Sequence, residues 1–341
     1  MKPLHDYARA CDDLLAECRG DDTVEITAVT ADSRQIEPGA LFVAINGAQV
    51  DGRAFIPQAA ERGVAAVLCQ GPLPAGVDLP HLRVTDDYAA AARVAECCHD
   101  YPAAGMYTIG ITGTNGKTTT AFLVEHLLRA AGRQTGMIGT VHYKVGDAVR
   151  TADRTTPTPF ELQAMIADMR AAGADTLVME VSSHALCQQR LGTTRCDLAV
   201  FTNLSPEHLD YHEDMEQYYH AKKRLFTDVL AADGTAVINI DCPYGKRLAA
   251  ELAEADVHTC TCGRGAAADV RIQHQRMDLT GTHLALPEGE LHSPLIGDYN
   301  ADNAVAAVAC ARRAGIPFDR VRRALATFAG VPGRLQSAAA E

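Results

Sequence analysis

The sequence predicts an α/β fold in two parts: a small N-terminal α/β domain, then a larger doubly wound domain with a mostly parallel sheet. Three observations carry this expectation. Short apolar runs alternate with helix-like segments along nearly the whole chain. From Met106 onward the segments lengthen and the alternation becomes regular, the pattern of a parallel sheet with helices on both faces. Between one such run and one such helix stands Gly113-Thr114-Asn115-Gly116-Lys117-Thr118-Thr119-Thr120, and strand, Gly-rich turn, Lys-Thr, helix is the layout of a phosphate-binding loop.

The elements follow in order. Over residues 1–100, apolar runs at Val24–Val29, Leu41–Ile45, Val64–Leu68 and Leu82–Val84 read as short strands, and segments near 3–17, 55–62 and 86–98 as helices. His99–Gly105, with Pro102 and Gly105, reads as a linker. In the domain spanning 101–332, strands are expected at 107–112, 134–139, 175–181, 197–201 and 235–240, and helices at 117–131, 158–172, 214–230 and 243–254. A β-rich stretch with a charged hairpin follows at 257–293, then helices at 298–314 and 317–328. Residues 333–341 read as the start of a linker to a further domain that is expected to be missing.

Bulk properties narrow the function. The 341 residues are 47% hydrophobic, enough for two buried cores, and the formal charge of −12 argues against non-specific nucleic-acid binding. No apolar run approaches the ~18 residues of a membrane span. Eleven cysteines without a secretory leader fit a reducing cytoplasm, and a monomer is expected. Neither Cys97-Cys98 nor Cys260-Thr261-Cys262 has a second pair at zinc spacing, so these read as core thiols.

In the loop, backbone N–H groups and the helix N-terminus would meet phosphates, Lys117 would add a point charge, and the Thr118 hydroxyl could reach Mg²⁺. The common pattern G-x-x-x-x-G-K-[ST] would need glycine where Ile111 stands, so this is a variant loop. Such a loop needs a metal site nearby. Glu180 closes the apolar run Leu177-Val178-Met179 and would stand at a strand's carboxyl end beside Thr118; the alternative is a solvated acid. The next strand ends in Thr202–His212, where Glu207, His208, Asp210 and His212 lie together and could approach a second metal; each histidine could equally be an ordinary surface residue. Asn300 and Asn303 stand one helical turn apart and could face a purine or its sugar, or simply cap the helix.

Taken together, the chain resembles the Mur ligases, the ATP-dependent enzymes that build the peptide of bacterial cell-wall precursors. Within them it is most similar to the E-type branch, which adds meso-diaminopimelate or L-lysine to UDP-MurNAc-L-Ala-D-Glu. The resemblance rests on Thr30–Arg34, Pro38–Ala44, Asp51-Gly52-Arg53, Gly113–Thr119, Arg154-Thr155-Thr156-Pro157, Glu180–His184, Thr202–His212 and Tyr299–Asn303, in that order. It implies an N-terminal domain holding the uridine end of the substrate near Ala31, Ser33 and Ala48-Gln49-Val50, and ATP on Gly113–Thr119 with Asn300, Asn303 and Arg334 toward the nucleotide. It implies muramoyl-peptide contacts at Arg154, Thr155, Thr156, Ser182, Gln188 and Arg190, and catalytic or Mg²⁺-site roles for Lys117, Thr118, Glu180, His208 and Lys222. The residues alone make Lys222, beside Lys223 and Arg224, a solvated charge; its ten-residue spacing from His212 matches the lysine this family carbamylates. An ammonium beside Mg²⁺ would repel it, whereas a carbamate supplies an anionic oxygen.

Two departures stand out. Arg154 replaces the asparagine common before the Thr-Thr pair, and nothing after Arg334 resembles the family's C-terminal domain, which binds the incoming amino acid. A two-domain version made deliberately and a natural truncation both fit. The expectation is retained substrate binding with weak ligation. Alternatives are another Mur-type ligase, a folylpolyglutamate-type ligase, against which Asp32-Ser33-Arg34 argues, or a non-catalytic UDP-sugar- or nucleotide-binding module.

Overall fold

The computed structural model describes residues 1–47, 50–146 and 148–333. Its contacts form two units. The first is Met1–Ala104 together with 157–167 and 188–194; the second holds the rest. The linear division at residue 100 therefore assigns two inserted segments to the second domain that the contacts place in the first.

The first unit contains β1 (Lys2–Pro3), α1 (Leu4–Ala10), β2 (Leu15–Arg19), β3 (Glu25–Ile26), β4 (Val29–Thr30), β5 (Leu41–Ala44), α2 (Ile56–Glu61), β6 (Ala66–Gln70), β7 (His81–Val84) and α3 (Asp87–Cys98). Its main sheet runs β2-β7-β6-β5-β4, parallel except for β2. Every residue of Leu41–Ala44 and of Ala66–Cys69 is buried, so these strands read as unbroken apolar runs rather than alternations. The helix expected over 3–17 stops at Ala10; Leu15–Arg19 pairs instead with β7, where its half-buried, alternating face suits an edge strand. The strand expected over 24–29 is likewise divided between partners β1 and β5.

Helix α3 is capped by Asp86, whose side chain accepts the Ala89 N–H at 3.0 Å. It also anchors the inserted segment 188–194. Gln189 Nε2 donates to Asp86 Oδ2 at 2.7 Å. Buried Glu96, near the other end of α3, accepts the backbone N–H and hydroxyl of both Thr193 and Thr194 at 2.8–3.0 Å. Gly192 (φ +60°) lies so close that a Cβ would meet Glu96 Oε2 at 2.6 Å, which explains glycine there.

The second unit contains β8 (Tyr107–Thr112), α4 (Lys117–Ala130), β9 (Thr135–Ile138), β10 (His142–Val145) and β11 (Ala148–Thr151). After α5 (Pro159–Ala171), which begins in the first unit, come β12 (Thr176–Glu180), α6 (Ser183–Cys187), β13 (Cys196–Phe201), α7 (Leu209–His212), α8 (Met215–Arg224), β14 (Leu230–Asn239), α9 (Pro243–Glu254), β15 (Thr259–Gly263) and β16 (Val270–Arg271). The chain then forms β17 (His274–Asp278), β18 (Gly281–Leu286), β19 (Gly289–Ser293), α10 (Asp298–Arg313) and α11 (Phe318–Leu325). The large sheet runs β11-β10-β9-β12-β8-β13-β14-β15-β16, antiparallel only in the β9-β10-β11 edge; β17–β19 make a separate antiparallel sheet. The β10–β11 hairpin was not expected from sequence: its outer strand is wholly exposed, so no apolar run marks it. The helix expected over 214–230 ends at Arg224 in a π-helical turn, Leu225–Val229, and β14 starts five residues early because Leu230 pairs with Cys196. Helices α4 and α10 share one apolar core with the sheet, including Ile109, Leu123, Leu127, Ala304 and Val308.

Candidate functional site

The chain reverses direction across the large sheet on either side of β8, whose neighbours are β12 and β13. Ligands of open α/β sheets gather beyond the carboxyl ends of such strands. Gly113–Gly116 and the Thr202–His212 segment follow directly from β8 and β13, and Glu180 is the last residue of β12.

The loop is braced from β13's end. Thr114 N and Asn115 N donate to Asn203 O (2.9 Å) and Asn203 Oδ1 (3.0 Å), and Thr202 Oγ1 donates to Asn115 O at 2.6 Å. A Cβ on Gly113 (φ +146°) would lie 1.9 Å from Thr202 Oγ1, so the brace itself requires glycine. Gly116 (φ +86°) opens α4 and abuts Asn303 Oδ1, which also accepts from Thr120 Oγ1 at 3.3 Å. Asn303 Nδ2 donates to Asn300 Oδ1 at 3.3 Å. The asparagine pair thus sits against the loop, and both line a cavity of about 880 Å³ with Asn115, Gly116 and Thr119.

Lys117 turns back onto its own loop, its Nζ donating to Gly113 O (2.9 Å) and Thr114 O (2.8 Å). Thr118 Oγ1 donates to Glu180 Oε2 at 3.0 Å. Glu180 is fully buried and also accepts from Thr140 N (2.8 Å) and Thr140 Oγ1 (3.0 Å). Thr140 Oγ1 lies 3.1 Å from Thr155 Oγ1. Thr156 Oγ1 donates to Glu180 O and accepts the Ser182 N–H. Ser182 Oγ accepts the Ala185 N–H and caps α6. Arg154 differs: its side chain is exposed, while its backbone exchanges hydrogen bonds with the Tyr143 hydroxyl.

Lys222 is 1% exposed. Its Nζ donates to Gly113 O at 2.8 Å and lies 4.5 Å from the centre of the Tyr218 ring. Burial, reinforced by nearby Lys117, holds its pKa well below the ordinary lysine range. This corrects the residue-only reading of a solvated charge. Tyr218, one helical turn before Lys222, was missed; the i, i+4 spacing was its only signal. His208 (φ +58°) is half-exposed, and its ring also approaches Tyr218, at 6.2 Å. His184 stacks among His208, Tyr211 and His212. His212 is buried and bonded to Ser183 Oγ at 2.8 Å; burial, then the neighbouring His184 and Lys222, lowers its pKa to about 4.

Thr118 and Glu180 offer the hard oxygen donors that Mg²⁺ takes, in the place where a P-loop metal lies. No group of three or more His, Cys, Asp or Glu among the described residues could hold a metal ion. His208 and Lys222 both approach the Tyr218 ring, and Lys222 as an amine offers a metal no oxygen.

Ala31, Ser33, Val50, Gln188 and Arg190 belong to the first unit. Ala31 follows β4, and Ser33 opens a 3₁₀ turn capped by Asp32, which accepts the Arg34 N–H and pairs with its guanidinium. Val50 is exposed. Gln188 Oε1 accepts from Arg190 Nε and Nη2 at 3.0 and 2.8 Å. Ala48, Gln49 and Arg334 lie outside the described residues.

A braced Gly-Lys-Thr loop, an acid at the neighbouring strand end and an adjoining cavity define an α/β protein with a P-loop-type loop. Residues 111–311 match the Mur ligase middle domain and 25–94 the Mur ligase family catalytic domain. The chain is 42% identical, over 98% of its length, to the UDP-N-acetylmuramoyl-L-alanyl-D-glutamate–2,6-diaminopimelate ligase of Geobacter sulfurreducens. It belongs to the Mur ligase family. It spans 66% of that relative's length. A solved structure of a ligase of the same description superposes with a TM-score of 0.84 at 27% identity, covering 98% of this chain and 69% of the other. Thermotoga maritima MurF ligase in complex with ADP shares the fold, with a TM-score of 0.62 at 20% identity over 92% of this chain and 68% of its own. No helix among the described residues is long and apolar enough to cross a membrane.

Proposed function

We propose that this chain carries the substrate- and ATP-binding parts of a cytoplasmic ligase that adds a diamino acid to UDP-MurNAc-L-Ala-D-Glu. The observation that carries the reading is the Thr118–Glu180 hydrogen bond at the mouth of a Gly-Lys-Thr loop. Relatives at 42% identity bear that activity in their names, and a family neighbour holds ADP.

In the full reaction a substrate carboxylate oxygen attacks the γ-phosphorus of ATP. The bond to ADP breaks, leaving an acyl phosphate. The incoming amine then attacks that carbonyl carbon, phosphate leaves with the bonding electrons, and the amine gives up a proton. Lys117 would exchange its loop carbonyls for phosphate oxygens, and backbone N–H groups at the start of α4 would hold the polyphosphate. Thr118 and Glu180 would hold Mg²⁺, which when bound offsets phosphate charge. Burial favours the neutral amine of Lys222 over its ammonium; attack of that amine on CO₂ with loss of one proton would give a carbamate, an anionic oxygen donor for a second metal. Asn300 and Asn303 would face the nucleoside. Ala31, Ser33 and Val50 would hold the uridine end, with Arg154, Thr155, Thr156, Ser182, Gln188 and Arg190 toward the muramoyl-peptide.

The test is calorimetric titration of the chain with UDP-MurNAc-L-Ala-D-Glu, with and without Mg²⁺ and a non-hydrolysable ATP analogue. Saturable one-to-one binding is expected, with ligation weak for the chain alone. No binding by folded protein sinks the substrate assignment, and strong ligation sinks the need for a further domain.

A further inference from the structure

The cavity beside the loop has an electrostatic problem if it takes a nucleotide. Its described lining includes two carboxylates, Asp241 and Asp302, and no lysine or arginine. A polyanion entering there would meet two negative charges in a half-enclosed, weakly screened space.

One residue outside the lining answers this. Arg264 follows β15, and its backbone N–H donates to both carboxylate oxygens of Asp241 at 2.9 and 3.0 Å. Its Nη1 bonds Asp241 Oδ2 at 2.9 Å and Asp302 Oδ1 at 2.5 Å. Its Nη2 bonds Gln275 Oε1 at 2.8 Å, and Gln275 Nε2 donates in turn to Asp298 Oδ1 at 2.7 Å. One guanidinium therefore ties together the turn after β14, the start of α10 and strand β17. The approach is close: a Cβ on Gly263 (φ +149°) would meet Asp241 Oδ1 at 2.7 Å. A planar fork with several fixed donors can hold two carboxylates at once, which a lysine ammonium does poorly. Burial raises the Asp302 pKa, and Arg264 is the group pulling it back down.

We propose that Arg264 is a positioning residue for the nucleotide: by bridging Asp241 and Asp302 it fixes the cavity wall and cancels charge that would otherwise repel a nucleoside polyphosphate. This rests on reading the cavity as the nucleotide site, and the experiment separates the two.

The probe is ADP with Mg²⁺, titrated calorimetrically into the chain and into Lys117→Ala, Arg264→Met, Arg264→Lys and the triple variant Arg264→Met/Asp241→Asn/Asp302→Asn. Arg264→Met is expected to weaken ADP binding about tenfold, Arg264→Lys less, and the triple variant to recover most of the loss, to within roughly threefold of the parent. A merely structural arginine would lower the unfolding midpoint in Arg264→Met while leaving the ADP affinity of the folded protein unchanged. Parent-like affinity in both Arg264 variants overturns the proposal. A triple variant as weak as Arg264→Met, while folded, overturns the charge argument. If the parent fails to bind ADP, or Lys117→Ala binds it unchanged, the nucleotide site is misplaced and the proposal falls with it.

Discussion

Gly139 offers a sharp probe of the metal site because a side chain there would press directly on Glu180. It follows β9, and a Cβ there would stand 2.3 Å from Glu180 Oε1, 3.2 Å from Cδ and 3.4 Å from Cγ. To reach ordinary van der Waals contact, the carboxylate of a Gly139→Ala variant must retreat by about 1 Å. Glu180 is fully buried and held by Thr140 N, Thr140 Oγ1 and Thr118 Oγ1, so it cannot swing into solvent. It must give up at least one charge-assisted hydrogen bond, worth ~1.5–3 kcal/mol. Carried into metal affinity, that is roughly a tenfold to hundredfold loss. The assay is ADP binding by calorimetry across a Mg²⁺ series. Metal-free ADP affinity should stay near that of the parent, while the gain from Mg²⁺ shrinks. An undiminished gain in folded Gly139→Ala would refute the placement of Mg²⁺ on Thr118 and Glu180. An equal loss with and without metal would mean the substitution had distorted the loop instead.

Other outcomes are expected from the same geometry. Lys117→Ala should weaken ADP binding at least tenfold and spare UDP-MurNAc-L-Ala-D-Glu; equal loss of both, by calorimetry, would show the two sites are confused. Lys222→Ala should abolish the carbamate carbon signal seen by NMR after equilibration with isotope-labelled bicarbonate; a persisting signal assigns it elsewhere. Glu96→Ala deprives the Thr193 and Thr194 N–H and hydroxyl groups of their acceptor and should cost ~3 kcal/mol in urea denaturation, with protease cleavage rising in 188–194; an unshifted midpoint contradicts the anchoring role. His212, whose folded pKa of about 4 lies below the ordinary 6.5, stabilises the fold most above pH 6.5 and loses that contribution as pH falls toward 4. The stability difference between the parent and His212→Asn should shrink across that window, and a difference flat with pH argues against it.

What the sequence made legible was local. The loop, the strand before it and the helix after it announce themselves because spacing and chemistry are contiguous. Glu180 was found by its position at a strand end. Lys222 was found only through its resemblance-based spacing, since its burial depends on Tyr218 and on a carbonyl more than a hundred residues away. Arg264 was invisible because its partners Asp241, Gln275 and Asp302 lie on three other elements. Thr140 looked like the polar residue after any strand, and only the fold brings it to Glu180. The helix expected over 3–17 failed where pairing with β7 outweighed local propensity.

The anchoring of 188–194 on α3 also orders events during synthesis. When the ribosome has delivered residue 104, Glu96 is in place but its four donors do not yet exist. The N-terminal unit must wait, unfinished, while strands β8 and β12 and the phosphate loop of its neighbour are made, and only then receive its last piece. Expressed alone, residues 1–104 would leave Glu96 to water in place of its four donors, so a cut at the linker separates the unit from a segment that its own helix holds.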